Sequence, residues 1–392
     1  MMEENMTELI SGLRIENSVI HTDATGRIKN FFKKASAGGR LTVAFLGGSI
    51  TQGSLASTQK NCYAYRTYDW LQKNFKADFS YVNAGIGATT SHLGVARVEE
   101  DVLSHQPDLV IVEFSVNDED ESPHFQETYE GLVRKILGAE WEPAVLLVHN
   151  VRYNDGGNAE AIHKPIGRHY GLPEVSMREA IYPLISQDGL DPREITPDDL
   201  HPNDLGHALV SYVICSYFES VRKELMAEEM ADKDSTGSEK RDTDEWSMPS
   251  PITKNRYETA KRYRNDALKP LKCIGFIRDD AEQSQISDCF KKGYLASHTG
   301  DKIVFSGCFS QLAIQYRKTV RKPAPIALAI VDGNEEKAVV LDSNFKEDWG
   351  DCLYLEVICE NLEYKEHEVE IRLVKSLPED QEGFYLVSLI YA

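Results

Sequence analysis

At 392 residues the chain is longer than the roughly 150 expected of one domain, so two domains are anticipated. A formal charge of −20 at pH 7 excludes nucleic acid and anionic membrane as natural partners, since both are gripped through Lys and Arg patches. A 41% apolar fraction is enough to build packed cores, and the 27% charged fraction gives an ordinary soluble surface.

The opening segment MMEENMTELI is acidic and lacks the positive start and apolar core of a secretory signal. No apolar run approaches the ~18 residues of a membrane helix. Seven cysteines are scattered, odd in number and without CxxC pairing, which is the usage of reduced, mostly buried thiols. The expected location is the cytoplasm.

Over the first part of the chain, short apolar runs alternate with helical patterns. LTVAFLGG (41–48) is a continuous apolar run ending in glycines, as a buried parallel strand should be. FSYVNAG (79–85), DLVIVEFS (108–115) and PAVLLVHN (143–150) predict further strands, and segments near 61–76, 91–104 and 125–138 predict helices. Asn203 is placed to cap a last helix over about 204–225. Such alternation implies an α/β fold, a parallel sheet covered on both faces, in a domain spanning 1–228.

From 226 to 251 the chain is polar, charged and then proline-containing. It reads as a frayed helix end followed by a linker, 229–256. Trp246, Met248 and Ile252 would be odd in a free tether, so packing of its latter part is the alternative. From about 270 the runs CIGFI, KIVFSGCF, LAIQYR, IALAIVD, AVVLD, LYLEVICE, HEVEIRLV and FYLVSLIYA come at short intervals. Many alternate apolar and polar residues, which predicts a β-sandwich or jelly roll over 257–392.

Four pieces of the first domain bear on chemistry. GGSITQG (47–53) puts Ser49 at the carboxyl end of a parallel strand, where open α/β sheets carry their sites. Alone, it fits a phosphate loop of a flavodoxin-like nucleotide binder as well; it contains neither a GK[ST] sequence nor a G-x-S-x-G elbow. DDLHPNDLGH (198–207) places Asp198 and His201 three apart on a proline-stiffened loop, so that the carboxylate can fix one imidazole nitrogen and free the other. The bland alternative is an Asp cap beside a surface histidine, and His-x5-His (201, 207) is poor metal-ligand spacing. In SVNDED (115–120), Asn117 can offer its amide to an oxyanion, or simply serve a turn. NAGIGATTS (83–91) can supply a backbone N–H, or be a strand-to-helix turn capped by Thr90 or Ser91. All four fall along the same edge of one sheet, and together they make a nucleophile, a base with its carboxylate, and oxyanion donors.

On these blocks, in this order and over about 41–225, the chain resembles the SGNH (GDSL-like) hydrolase superfamily. The resemblance implies a flavodoxin-like three-layer domain, a serine esterase activity, Ser49 as nucleophile, Asn117 as oxyanion donor, and Asp198 with His201 as acid–base partners. No cofactor and no metal are implied. GGSI stands where the family has GDSL, so Gly48 replaces an acidic residue outside the triad. The family's oxyanion glycine falls on Ala88, next to Gly87, and either N–H can serve together with that of Ser49. With the β-domain added, the chain resembles carbohydrate esterase family 17, which removes acetyl groups from mannooligosaccharides. That implies an oligosaccharide ester as substrate and a carbohydrate-binding-type β-domain, where Trp349, Tyr294, Tyr316 and the linker's Trp246 are candidates to stack on sugars, against core packing as the alternative. A lipid or thioester hydrolase on the same fold, or an inactive hydrolase half serving carbohydrate binding, are the rival readings. Oligomeric state is not legible.

Overall fold

The structure, a computed structural model, describes residues 2–20, 24–234, 247–380 and 382–392. Trp246 lies outside the described residues. The chain forms two compact units, the first made of 1–86, 90–94 and 98–255 and the second of 256–392 together with 87–89 and 95–97.

The first unit is built on six strands: β1 (Val19–Ile20), β2 (Arg40–Gly47), β3 (Asp78–Gly85), β4 (Leu109–Glu113), β5 (Ala144–His149) and β6 (Glu174–Ser176). Their order is β1-β6-β5-β4-β2-β3. All pairings are parallel except that of β1 with β6. The four runs predicted as strands are β2 to β5, displaced by no more than two residues at either end.

Strand β2 shows why the sheet is parallel and covered twice. Val43, Ala44, Phe45 and Leu46 are all fully buried, and the side chains of a strand alternate between faces. Val43 and Phe45, with Ile111, Leu146 and Val148, belong to a core completed by Ile28 and Phe32 of helix Gly26–Ala37, by Tyr63 and Leu71 of helix Tyr63–Asn74, and by Leu209 and Val213 of helix Asp204–Asp234. Ala44, Leu46, Val110, Val112 and Leu147 point the other way and are equally buried. Right-handed crossovers require this second face. From β2 the chain moves to β3 on one side, then passes back over β2 to β4, β5 and β6. Helices Ser91–Asp101, Pro123–Leu137 and Glu160–Tyr170 therefore cover the opposite face.

That reversal of direction between β2 and β4 is a topological switch point, where loops at the carboxyl edge diverge and leave a crevice. The register brings Gly47 beside Gly85 of β3 and Glu113 of β4. The loops after residues 47, 85 and 113 therefore start side by side.

Helix Asp204–Asp234 is capped as expected, with Asn203 Oδ1 accepting from Leu205 N and Gly206 N, both at 3.0 Å. It continues nine residues beyond the predicted end, through MAEEMADKD, a run rich in the helix formers Met, Ala and Glu. The segment 247–255 is fastened to the first unit. Glu130 accepts from Ile252 N (2.7 Å) and Thr253 N (2.8 Å), and Arg134 donates to Pro249 O (2.8 Å).

The second unit contains β7 (Lys261–Tyr263), β8 (Lys272–Ile274), β9 (Ile277–Arg278), β10 (Tyr294–Ala296), β11 (Lys302–Phe309), β12 (Leu312–Lys318), β13 (Ile326–Val331), β14 (Val339–Asp342), β15 (Cys352–Cys359), β16 (Lys365–Lys375) and β17 (Phe384–Tyr391). They form two antiparallel sheets, β15-β12-β17-β10-β9, with β7 also on β17, and β14-β13-β16-β11-β8. Inward residues of β16, Val369, Ile371 and Leu373, meet Ile314, Leu386 and Leu389 in one core between the sheets. The run CIGFI is not one strand. Gly275, at φ +78, turns the chain so that β8 joins one sheet and β9 the other. Tyr316 is wholly buried and Tyr294 nearly so, both within this core, and their role is packing. Trp349 is 59% exposed, edge-on to Phe345.

Candidate active site

Ser49 opens a four-residue helix, Ser49–Gln52, directly after β2. The turn is tight because that helix lies on β3: a Cβ at Gly85 would fall 2.6 Å from Gln52 Cα. Thr51 Oγ1 meets Tyr63 OH at 2.8 Å and fixes the helix from below. Burial drives the Tyr63 phenol well above its ordinary range, so it stays a neutral partner.

The loop carrying Asp198 and His201 is brought over this helix. His201 Nε2 is 2.8 Å from Ser49 Oγ, and His201 Nδ1 is 2.6 Å from Asp198 Oδ2. Asp198 Oδ1 accepts from the backbone N–H of Leu200 (3.0 Å) and of His201 (2.7 Å). Burial raises the Asp198 carboxyl, but these bonds, that of the His201 imidazole first, outweigh it and hold it below its ordinary value. The residue therefore stays ionised. Tyr153 N donates to Asp199 O at 2.7 Å, and Asn203 Nδ2 to Glu194 O at 2.8 Å, so the loop is fastened on both sides.

Asn117 lies in the turn after β4, with its backbone N–H and that of Asp118 both on Phe114 O at 3.0 Å. Its amide packs onto Gly48, leaving no space for a Cβ there. Ala88 and Gly87 lie in the loop after β3. Ala88 adopts φ +56, the left-handed region that favours glycine.

Such an arrangement can activate a hydroxyl: an ionised carboxylate orients an imidazole whose other nitrogen faces the serine. His207 takes a different part from His201. Its Nδ1 accepts from Tyr63 N (3.3 Å) and its Nε2 donates to Ser54 O (3.1 Å). Burial pushes it down to about 4, so it is a neutral clamp on the loop after Ser49. With both ring nitrogens of each histidine engaged, the two do not form a metal pair. Asp204 assists by accepting from Ser57 N (2.8 Å), Ser57 Oγ (2.6 Å) and Asn61 Nδ2 (3.0 Å). Neither clamp was recognised from sequence; HPN…GH is its only trace.

Neither Thr90 nor Ser91 caps helix Ser91–Asp101 through its side chain. The carboxylate of Asp118 does so, accepting Ser91 N at 2.8 Å. At the end of β4, the Glu113 carboxyl is fully buried, accepts from Ser115, and is pushed up to about 7 by burial.

Comparison with known proteins identifies the family. The model of the GDSL-like lipase/acylhydrolase family matches residues 45–209. Two crystal structures of a two-domain esterase active on acetylated mannans, one co-crystallised with mannopentaose, superpose with a TM-score of 0.89. Each is 49% identical, and the match covers 97% of this chain and 98% of that one. Thioesterase 1/protease 1/lysophospholipase L1 of Escherichia coli (strain K12) is 26% identical over 171 residues, 41% of this chain and 76% of that protein. The chain belongs to the GDSL-like lipase/acylhydrolase family and is an acyl hydrolase.

Proposed function

We propose that the chain is a carbohydrate O-acetylesterase that releases acetate from acetylated oligosaccharides, mannooligosaccharides foremost, through Ser49, His201 and Asp198. The observation that supports this most is the continuous chain of contacts Ser49 Oγ–His201 Nε2, His201 Nδ1–Asp198 Oδ2. Likeness over nearly the whole chain to an esterase active on acetylated mannans supports the substrate.

In the first half-reaction Ser49 Oγ attacks the ester carbonyl carbon while His201 Nε2 takes the serine proton. The carbonyl oxygen becomes an oxyanion, held by the N–H of Ser49, that of Ala88 or Gly87, and the Asn117 amide. Collapse expels the sugar oxygen, which takes the proton from His201 and leaves with a free hydroxyl. Water, deprotonated by the same imidazole, then attacks the acetyl-enzyme, and acetate leaves as Ser49 recovers its proton. Asp198 stays ionised and stabilises the imidazolium in both halves.

In this reading residues 1–228 are the catalytic domain, 229–256 a linker and 257–392 a carbohydrate-binding-type domain. Among the described residues, Trp349, with its exposed ring, is a sugar-stacking candidate retained from the sequence. Among the described residues no helix is long and apolar enough to cross a membrane. The seven free cysteines support a reducing compartment, which we take to be the cytoplasm.

A thioester or lysophospholipid substrate is the second reading, favoured by the Escherichia coli relative. The test is acetate release from a panel of acetylated manno- and xylooligosaccharides beside long-chain acyl thioesters and lysophospholipids. Turnover of the acetylated mannooligosaccharides above all others is expected. Preference for long acyl chains would overturn the proposal.

A further inference from the structure

Asp118 is not needed to complete the hydrogen-bonded chain from Ser49 to Asp198, yet it is 2% exposed and ties together two segments that the proposed reaction needs in register. Its Oδ1 accepts from Ser91 N at 2.8 Å, and its Oδ2 faces His163 Nε2 at 3.0 Å. Ser91 begins the helix that follows the loop of Gly87 and Ala88, and Asp118 directly follows Asn117. One carboxylate is thus the joint between the segment after β3 and the turn after β4.

The joint is stiff on every side. The His163 ring lies flat on Tyr129, with centroids 3.6 Å apart and planes at 8°. Ser91 Oγ is 2.6 Å from Thr128 Oγ1. On the other side of the turn, Ser115 Oγ donates to Asn150 O (3.0 Å) and Ser115 O accepts from Ala159 N (2.7 Å). The 11-residue helix Ser91–Asp101 aims its positive end at the carboxylate. Burial keeps His163 below its ordinary value, so it serves as a neutral N–H donor to Asp118 Oδ2.

We infer that Asp118, held by His163, is a positioning residue that fixes the Asn117 amide relative to the start of helix Ser91–Asp101 and acts on catalysis only through Asn117. The inference rests on the reading of Asn117 as an oxyanion donor. An oxyanion exists only in the transition state and intermediate, so misplacing its donor lowers kcat and leaves KM almost unchanged.

The test is a double-mutant cycle on an activated acetyl ester, with thermal melts of every variant. Asn117→Ala alone should lower kcat about 10²- to 10³-fold. Asp118→Asn in the native background should lower kcat roughly 10- to 100-fold with KM within about 2-fold, as expected for an approximately 1 Å misplacement. In the Asn117→Ala background the same Asp118→Asn change should cost less than about 3-fold, because the group through which it acts is gone. If Asp118→Asn does not fold, His163→Phe replaces it in the cycle, keeping the ring stack on Tyr129 and removing the donor; the same pattern is expected on a smaller scale. Equal losses in both Asn117 backgrounds, or a change confined to KM, would overturn the positioning role. An Asn117→Ala variant of native activity would instead remove the reading of Asn117 on which it stands.

Discussion

Asn117 and Gly48 occupy one space: the Asn117 amide oxygen stands where a Cβ on residue 48 would be. The residue before the proposed nucleophile thus sets the seat of the proposed oxyanion donor. Gly48 has φ −88 and ψ −149, just beyond the extended region that L residues favour, so a larger side chain meets the Asn117 amide and a less favourable backbone together. Gly48→Ala is expected to fold and to lower kcat on an activated acetyl ester by about 10- to 100-fold, as a displaced donor should. Unchanged kcat with a native melting temperature would show that Asn117 needs no such seat.

Asp198 accepts the His201 imidazole and two backbone N–H groups. Asp198→Asn retains an acceptor for the backbone but presents an amide N–H to the ring, which selects the wrong tautomer. The loss in kcat should be about 10⁴-fold at near-native stability. A loss below 10-fold, measured with the same ester, would separate Asp198 from the reaction.

Burial raises Glu113 to about 7 from its ordinary 4.5. A carboxyl raised in this way binds its proton more tightly in the folded protein. Its contribution to stability is therefore full below 4.5 and lost as pH rises through about 7. Glu113→Gln mimics the protonated form and escapes that loss. Urea unfolding at pH 5 and pH 8.5 should show the variant gaining on the native chain by on the order of 2–3 kcal/mol at the higher pH. Parallel pH dependences would contradict it.

His207 joins Tyr63 N to Ser54 O across 144 and 153 residues. His207→Ala leaves both backbone groups without this partner and should cost about 1–3 kcal/mol in urea unfolding. Retention of full stability would reduce the clamp to an incidental contact.

The catalytic half of the fold was legible where apolar runs were long enough to fill a buried strand. β1 and β6, of two and three residues, leave too little pattern to read. Helix Glu160–Tyr170 was hidden by Pro165, which normally argues against a helix interior. Helix Gly26–Ala37 buries Ile28, Phe31, Phe32 and Ala35 at helical spacing, a pattern present in the sequence that was not among the predicted helices. In the site, the spacing of Asp198 and His201 is local and carries its own geometry. The roles of His207, Asp204 and Asp118 are not local: their partners lie far along the chain and meet them only in the folded sheet edge.

The most direct measurement of the central claim is the rate of acetate release from an acetylated mannooligosaccharide by the native chain and by Ser49→Ala, each shown to be folded. The account predicts that the variant loses activity by several orders of magnitude, up to about 10⁶-fold. A variant that releases acetate at the native rate would contradict it.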